Sequence, residues 1–329
     1  MRFERTARPP VPSQQPPALK RLYWALRRRE YMAVFRQLNR SAWLDDAVTI
    51  AVARRHLCGR VPNLLRPRRF SDRIARMMLS TDGRGALRAH VTDKELVKAY
   101  VERCVGPGYT PRTLAVLRDP TEVEAFEFPP DCAIKATHDS GSVLLRRHGT
   151  PVDRARIRSW FSRNYHDVAR EPNYRLLVPK IIVEELLPPP PGESDLPDFK
   201  FFCFSGQPVL VQVDADRFSD HRRSFYSRDW VELDFTMNYP ATRRPVPRPA
   251  GLELMLSLAE KLSAPFSFVR VDCYQTGDRV VVGELTHFPE ASHMTFSPDA
   301  ADLKMGRLLD APDLDCVVLF GGTGRQCAG

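Results

Sequence analysis

The chain has 329 residues, and at roughly 150 residues per domain that length allows about two domains. Apolar residues make up 43%, enough for a substantial core, which excludes wholesale disorder. Basic residues number 49 against 40 acidic ones, but 41 of the 49 are Arg and only 8 are Lys. An arginine skew of that kind follows from a GC-rich coding sequence without any function. Positive charge is therefore discounted as a sign of nucleic acid, and the positions of the few lysines carry more information. No apolar run approaches the ~20 residues needed to span a bilayer. The amino terminus MRFERTARPPVPSQQPP has no apolar segment of the kind a secretory signal needs. Seven cysteines (Cys58, Cys104, Cys132, Cys203, Cys273, Cys316, Cys327) are scattered, odd in number and never spaced C-x-x-C. That pattern is neither a disulfide framework nor a zinc site, and it predicts buried thiols in a cytoplasmic chain.

Residues 1–18 are Pro- and Arg-rich and read as a flexible tail. From Lys20 to about His56 apolar residues (Leu22, Trp24, Ala25, Met32, Val34, Phe35, Leu38) recur at helical spacing. Ser71-Asp72 is read as the cap of a second helix holding Ile74, Met77, Met78 and Leu79. A third helix is expected to start at Thr92-Asp93, with Leu96, Val97, Tyr100 and Val101 on its apolar side. After Gly108 short strands alternate with helices. Strands are predicted at 113–117, 132–137, 143–146, 180–187, 199–204, 209–214, 266–274 and 279–286. Helices fit at 153–164, 251–262 and 300–309, and the run Pro188–Pro191 reads as a loop. Runs of strands broken by single helices indicate an α+β fold.

Three segments carry chemistry. In Ile134-Lys135-Ala136-Thr137-His138-Asp139-Ser140-Gly141-Ser142, a lysine ends an apolar strand and a small polar turn follows. An ammonium beside the N–H groups of such a turn suits a phosphate. It is not a Walker loop, because the lysine precedes the glycine, and a plain hairpin with a solvated lysine has the same letters.

The second segment is a hairpin, Phe268–Tyr274 and Val281–Thr286. Centred on Gly277, it sets Arg270 opposite Glu284 and Asp272 opposite Val282, with the polar groups on one face. A one-residue register change would put the two carboxylates on opposite faces, so this reading requires a turn of odd length. Two carboxylates and a hydroxyl suit Mg²⁺ beside nucleotide phosphates; a buried Arg–Glu pair is the alternative. The third segment, Lys180–Leu187, leads through the proline loop to Asp198-Phe199-Lys200. An apolar strand ending in acids offers backbone groups to an adenine ring and a carboxylate to a ribose, or is simply a strand with a solvated end.

Together these segments resemble the ATP-grasp superfamily, and in detail its TupA-like branch, over about residues 70–309. The motifs are Thr92-Asp93-Lys94, Lys135 with Thr137–Gly141, Val183-Glu184-Glu185, Asp198-Phe199-Lys200-Phe201-Phe202, Asp216-Arg217 with His221–Tyr226, Arg270-Val271-Asp272, and Gly283-Glu284-Leu285-Thr286. The resemblance implies two α+β lobes clasping ATP. The small lobe and hinge strand would span 91–187 and the large lobe 188–315. A helical region, 19–90, would precede them and a tail, 316–329, would follow.

It further implies that Lys94 and Lys135, with His138, Ser140, Gly141 and Ser142 of the turn, contact ATP. Glu184 and the chain through Glu185, Leu186 and Leu187 would read adenine. Asp198, with Lys200 on the same motif, would hold ribose. Asp272 and Glu284 would bind Mg²⁺ with Thr286, which stands where many relatives carry Asn. Arg270 would steady the oxyanion of a tetrahedral intermediate, and the cluster of Arg217, His221, Arg222 and Arg223 would meet phosphate or an anionic acceptor. The family reaction joins a carboxylate donor to an amine acceptor through an acyl phosphate, with a uronic acid or a specialised metabolite as the expected substrate class. An ATP-grasp phosphotransferase is a second reading. A basic protein binding nucleic acid or an anionic surface through Arg21, Arg27, Arg28, Arg29 and Arg36 is a third; nucleic acid is not the expected partner.

Overall fold

The computed structural model describes residues 42–189, 196–215 and 220–325. The amino-terminal tail, most of the first helical stretch, part of the proline loop, Asp216-Arg217 and Cys327 lie outside those residues. The chain divides into two compact units after Val48. Helix α1 (Ala42–Cys58) crosses that division, and every later element belongs to the second unit.

Helix α2 (Phe70–Met78) buries Phe70, Ile74, Ala75 and Met78 on one side. Ser71 and Asp72 do not cap it. The helix begins at Phe70, and the Ser71 amide donates instead to Asp302 Oδ1 at 2.9 Å. A partner so distant in the chain replaces the local cap that the sequence suggests. The helix expected from Thr92-Asp93 is α4 (Leu96–Val105), and an unexpected helix, α3 (Ala86–Thr92), precedes it. Asp93 stands between them, its Oδ1 accepting from the amides of Glu95 and Leu96 at 2.8 and 3.3 Å.

The first sheet is antiparallel, with strands β1 (Thr113–Leu117), β2 (Cys132–Ala136), β3 (Val143–Arg146) and β4 (Ile181–Glu185) in the order β1-β4-β2-β3. Cys132, Ile134, Ala136, Ile181 and Val183 face a core shared with Ile157 and Trp160 of α6 (Arg154–Trp160) and Val123 of α5 (Pro120–Ala125). Alternation leaves Lys135 and Glu184 on the opposite face. The helix predicted over 153–164 stops at Trp160. Asn164 then starts α7 (Tyr165–Ala169) by accepting from the His166 amide, and a short 3₁₀ turn follows at Pro172–Tyr174.

The second sheet orders β5 (Asp198–Phe204), β6 (Gln207–Ala215), β7 (Arg222–Ser227), β9 (Phe268–Thr276) and β10 (Arg279–Thr286) as β10-β9-β5-β6-β7, all antiparallel. Short β8 (Thr236–Met237) pairs with β11 (Phe296–Ser297) beside it. One face is apolar throughout: Phe199, Phe201, Val211, Val213, Val269, Val271 and Cys273 pack with α8 (Leu252–Ser263) and α4. The other face changes along the strands. Phe202, Phe204 and Phe268 gather under Phe70, with ring centroids 6.2, 6.0 and 5.1 Å from it. Asp198, Lys200 and Asp272 form the polar half beyond them. Strand β7 was not expected, because Arg222-Arg223 masks the alternation by which a strand is recognised.

Helix α9 (Ala300–Leu308) carries Asp302, and α10 (Cys316–Phe320) follows it. The tail expected from 316 is therefore ordered in part. Asp315 caps α10, Gly322 bridges Leu233, and Arg325 pairs with Glu232. The six described cysteines are free thiols, four of them buried. Among the described residues no helix is long and apolar enough to cross a membrane.

Phe70 has no accessible surface and closes the aromatic half of the sheet. Phe70→Ala is expected to cost about 3–5 kcal/mol in urea unfolding. A cost below ~1 kcal/mol, the range of exposed-site substitutions, would contradict this packing.

Candidate active site

The first sheet contributes the cations. Lys135 at the end of β2 and Lys98 on α4 both pair with Glu184, Lys135 at 2.7 Å. Glu184 is buried. Burial alone would raise its carboxyl, but Lys135 and Lys98 outweigh it and hold the group below the ordinary carboxylate range. With both lysines on its oxygens, Glu184 orients Lys135. Glu185 is likewise engaged, accepting from the Arg112 amide at 2.8 Å and from Arg279 at 2.7 Å. Leu186 and Leu187 continue past the end of β4.

Lys94 reaches the turn after β2, donating to the Asp139 carbonyl at 2.8 Å. Burial lowers its pKa, Glu284 opposes that shift, and Lys135 adds to it. The two lysines and Glu284 are thus electrostatic neighbours across the space between the sheets. The turn is built by Asp139, whose Oδ1 accepts from the Ser140 amide at 2.9 Å and whose Oδ2 meets the Ser142 hydroxyl. Gly141, at φ 80°, supplies the left-handed residue, and Ser140 and Gly141 form the exposed tip. Arg163 leans over the turn and donates to Ser142 Oγ at 2.9 Å. His138 is different. Its Nε2 meets the Trp160 carbonyl at 3.0 Å and its Nδ1 accepts from the Lys180 amide at 3.2 Å. Burial lowers its pKa, and both ring nitrogens meet backbone groups that hold the turn.

The second sheet contributes the carboxylates. Arg270 grips Asp272 with two bonds, Nε to Oδ1 at 2.7 Å and Nη2 to Oδ2 at 2.6 Å. Lys200, directly opposite Asp272, lies 3.2 Å from Oδ2 and also pairs with Asp198. Asp198 is buried against that lysine and balances it. Asp214 accepts from Arg223 Nε at 2.6 Å, and His221 lies 3.3 Å from it. Arg223 Nη1 also reaches Glu290 at 2.8 Å. Arg223 is therefore a buried clamp between two acids, not an open anion-binding arginine. His221 stacks on Tyr239, with centroids 3.8 Å apart.

The hairpin register departs from the expected one. The turn is Gly277-Asp278, with Arg279 opposite Thr276, an even connection that would set Asp272 opposite Gly283 and turn Glu284 away. A β-bulge at Gly283 adds one residue, so Glu284 pairs directly with Asp272 and Thr286 with Arg270. The polar face is restored by a bulge rather than by an odd turn. A Cβ on Gly283 would stand 2.4 Å from Tyr274 Cε2, so any larger residue there displaces the tyrosine ring. Thr286 Oγ1 accepts from Arg270 at 3.1 Å and lies 3.4 Å from Glu284 Oε1.

The sequence profile of the TupA-like ATP-grasp family matches residues 73–310. The chain belongs to that family. Its strand order and its two facing sheets are an ATP-grasp fold. Solved structures with similarity include the ATP-grasp ligase PsnB with a phosphomimetic variant of its minimal precursor, Mg and ADP, at 13% identity, 73% of this chain, 65% of that chain and a TM-score of 0.40. The D-alanine–D-alanine ligase of Helicobacter pylori is 13% identical, over 69% of this chain and 59% of that one, with a TM-score of 0.39. Phosphoribosylamine–glycine ligase of Thermotoga maritima is 12% identical over 63% and 51%, at 0.37. This chain thus spans less than two thirds of the length of these proteins. Among curated proteins no sequence match is found.

An ATP-grasp chain calls for a nucleotide and a divalent cation, and the donor set suits both. Lys94, Lys135, Arg163 and the exposed Ser140-Gly141 tip offer donors to phosphate oxygens. Glu284 has 42% of its side chain accessible and opens to the cleft. Desolvation there would raise its carboxyl, but Lys94, Arg270 and Lys200 outweigh it and keep the group ionised. Among the described residues no three acidic, His or Cys groups converge as a metal cage. Glu284, Asp272 behind it and Thr286 alongside are the residues that would hold a divalent cation there.

Sequence reading missed Lys98, Lys180, Arg163, Glu171 and Glu290. The first two carried a usable signal, the rarity of lysine: five of the eight lysines stand at this cleft, Lys180 pairing with Asp93 at 3.0 Å. Arg163 and Glu171 resemble ordinary loop charges, and only folding brings them in.

Glu171 is buried between the sheets. Burial pushes its carboxyl up to about 8, with Glu284 and Glu290 adding to the shift and Arg270 opposing it. From about pH 4 upward the unfolded chain releases a proton that the folded chain keeps, so stability falls with pH at ~1.4 kcal/mol per unit. Glu171→Gln removes that loss. Its advantage over the parent in urea unfolding is expected to grow from pH 4 to pH 8, on the order of 1 kcal/mol or more; an advantage independent of pH contradicts the buried neutral acid. Gly283→Ala, by contrast, is expected to destabilise by about 1–3 kcal/mol through its clash with Tyr274. It should also weaken Mg²⁺-dependent nucleotide binding, measured by calorimetry, because Glu284 loses its register. Unchanged binding would dissociate the bulge from the site.

Proposed function

We propose that the protein is an ATP- and Mg²⁺-dependent carboxylate–amine ligase. What carries this reading is the meeting of two charge sets across one cleft: Lys94 and Lys135 beside an exposed glycine turn on one sheet, Asp272 and Glu284 on the other, with Lys94 and Glu284 in electrostatic contact. Lysines and turn amides neutralise and orient phosphates, and Asp272 and Glu284 would hold the cation, which would supply charge neutralisation for the transferring phosphoryl group. The substrate carboxylate attacks that phosphoryl group, forming an acyl phosphate and releasing ADP. The amine nitrogen then attacks the acyl carbon, the C–N bond forms, phosphate departs, and the nitrogen gives up one proton while keeping the other as the amide N–H. Such a reaction depends on positioning and charge neutralisation, and no protein nucleophile is required.

Arg270 stands beside both carboxylates and donates to the Thr286 hydroxyl, a position from which its guanidinium stabilises the oxyanion formed on the acyl carbon. The substrate class we favour is a uronic acid joined to an amino-acid amine, in the cytoplasm, as the family's occurrence beside surface-polysaccharide genes suggests. The small lobe is taken as 91–187 and the large lobe as 188–315.

Thermal unfolding tests the nucleotide site directly. Mg²⁺·ATP at about 100 times its Kd adds ~2.7 kcal/mol, a shift of several degrees. That shift is expected to require Mg²⁺ and to vanish in Lys135→Ala and in Glu284→Ala. A shift unchanged in both variants would overturn the site. ADP release that depends on both a uronic acid and an amine identifies a ligase; release with the carboxylate alone identifies a phosphotransferase.

A further inference from the structure

The loop that joins α1 to α2 over residues 59–69 contributes nothing to the cleft, yet it shows the most exposed large apolar side chain among the described residues, Leu65 at 91%. Val61 on the same loop is 57% exposed, while Pro62 is buried and Leu64 half-buried, so the loop has an inner and an outer side. It is also firmly seated. Arg60 at its start donates to Ser71 Oγ at 2.8 Å and pairs with Asp72 and Asp302, each at 3.1 Å. Arg69 at its end holds Asp299 with two bonds of 2.7 and 2.6 Å. Between them Asn63 Oδ1 accepts from the Arg66 amide at 3.0 Å, and Arg73 donates to the Pro67 carbonyl at 3.3 Å. Helix α9 lies so close that a Cβ on Gly306 would stand 2.0 Å from the Arg68 carbonyl oxygen.

A single exposed leucine is ordinary on a protein surface; one fixed in a strongly basic setting is not. From Ala47 to Ser71 the chain carries six arginines and no acidic residue. Arg54, Arg60 and Arg69 are engaged by Asp72, Asp302 and Asp299. Arg66 and Arg68 stay exposed next to Leu65. An apolar tip flanked by cations complements a surface that is anionic outside and apolar beneath, the two features that a bilayer of acidic lipid combines. Other occupants fit worse. Residues 1–41 carry ten basic and two acidic residues, so their charge opposes that of the loop, as would that of a second copy. Residues 59–69 include no aromatic ring on which a nucleobase would stack.

We propose that this loop seats the protein on the surface of an anionic lipid bilayer. Leu65 and Val61 enter the boundary between headgroups and acyl chains, and Arg66 and Arg68 meet the acidic headgroups. The braces from Arg60 and Arg69 fix the loop before contact, so little conformational freedom is lost on docking. A contact of this size gives reversible attachment that depends on both its apolar and its charged parts. The assignment is independent of the ligase reading, and no cleft residue takes part in it.

The test sediments the full chain with vesicles of phosphatidylcholine, alone or mixed with phosphatidylglycerol, and reads its lipid partition from the bound fraction. Binding is expected to be at least ~10-fold stronger with phosphatidylglycerol and to weaken as salt rises. Leu65→Ser is expected to lower the partition about 10-fold, and Arg66→Ser combined with Arg68→Ser by a similar ~10-fold. Without vesicles the urea midpoint of both variants should match the parent's, since the sites are exposed. No binding by the parent, equal binding to both vesicle types, or a partition unchanged in either variant overturns the proposal. So does a urea midpoint lowered by Leu65→Ser, the sign of a leucine covered by its own chain, or a dimer in light scattering that Leu65→Ser dissolves. Retention on single-stranded RNA that needs Arg66 and Arg68 but not Leu65 reassigns the loop to nucleic acid and overturns it as well.

Discussion

The architecture depends on burying five charged side chains on one face of a β-sheet. Asp198, Lys200, Asp214, Asp272 and Arg270 are all nearly inaccessible, yet they stand side by side on β5, β6 and β9. Two cations against three anions are tolerable only because each has a partner on its own strand or the next: Lys200 pairs with Asp198 beside it and Asp272 across from it, Arg270 grips Asp272, and Asp214 pairs with Arg223. Removing one member of such a set leaves an uncompensated buried charge, at a cost of about 3–5 kcal/mol. Strand register in this sheet is therefore enforced twice, by an apolar face that must point to α8 and by a charged face that must pair.

That double constraint accounts for the bulge at Gly283. A two-residue turn makes a tight hairpin, but its register sends Glu284 to the apolar side, where an unpaired carboxylate would meet Val271 and Cys273. One extra residue on β10 reconciles a short turn with a polar Glu284. Tyr274 then fills the space that any side chain at Gly283 would need. Beyond the bulge the face opens, and Glu284 becomes the one acid of the pair that reaches the cleft while Asp272 stays clamped by Arg270.

The small lobe solves the converse problem. Lys135 must present a cation to the cleft from a strand whose other face is core. Glu184 on β4, itself buried and shared with Lys98 of α4, holds it there, so the lysine is aimed by the protein's own side chains. The second face of Ala136 and Ile134 packs on Trp160, whose carbonyl takes His138. The histidine of the motif thereby braces the turn that the serines and glycine expose.

Much of this was legible in the letters. Alternation of apolar residues located most of the strands, and the rarity of lysine marked Lys94, Lys135 and Lys200. The order of weak motifs was enough to identify the ATP-grasp family. What the letters could not tell was which polar group meets which. Glu184, Asp198 and His138 have the residue types of ligand contacts, and three-dimensional neighbours claim each of them: two lysines, one lysine and two backbone groups. Glu171 shows the reverse, an acid between an arginine and a proline that has the look of a solvated loop and is among the most enclosed carboxyls of the cleft. Periodicity is a local property, written into each segment by the spacing of its own side chains, so sequence alone determined the elements and the family. Pairing of charges is a property of segments distant in the chain, and a single added residue at Gly283 inverts it, so only the tertiary structure decided which side chains face the cleft.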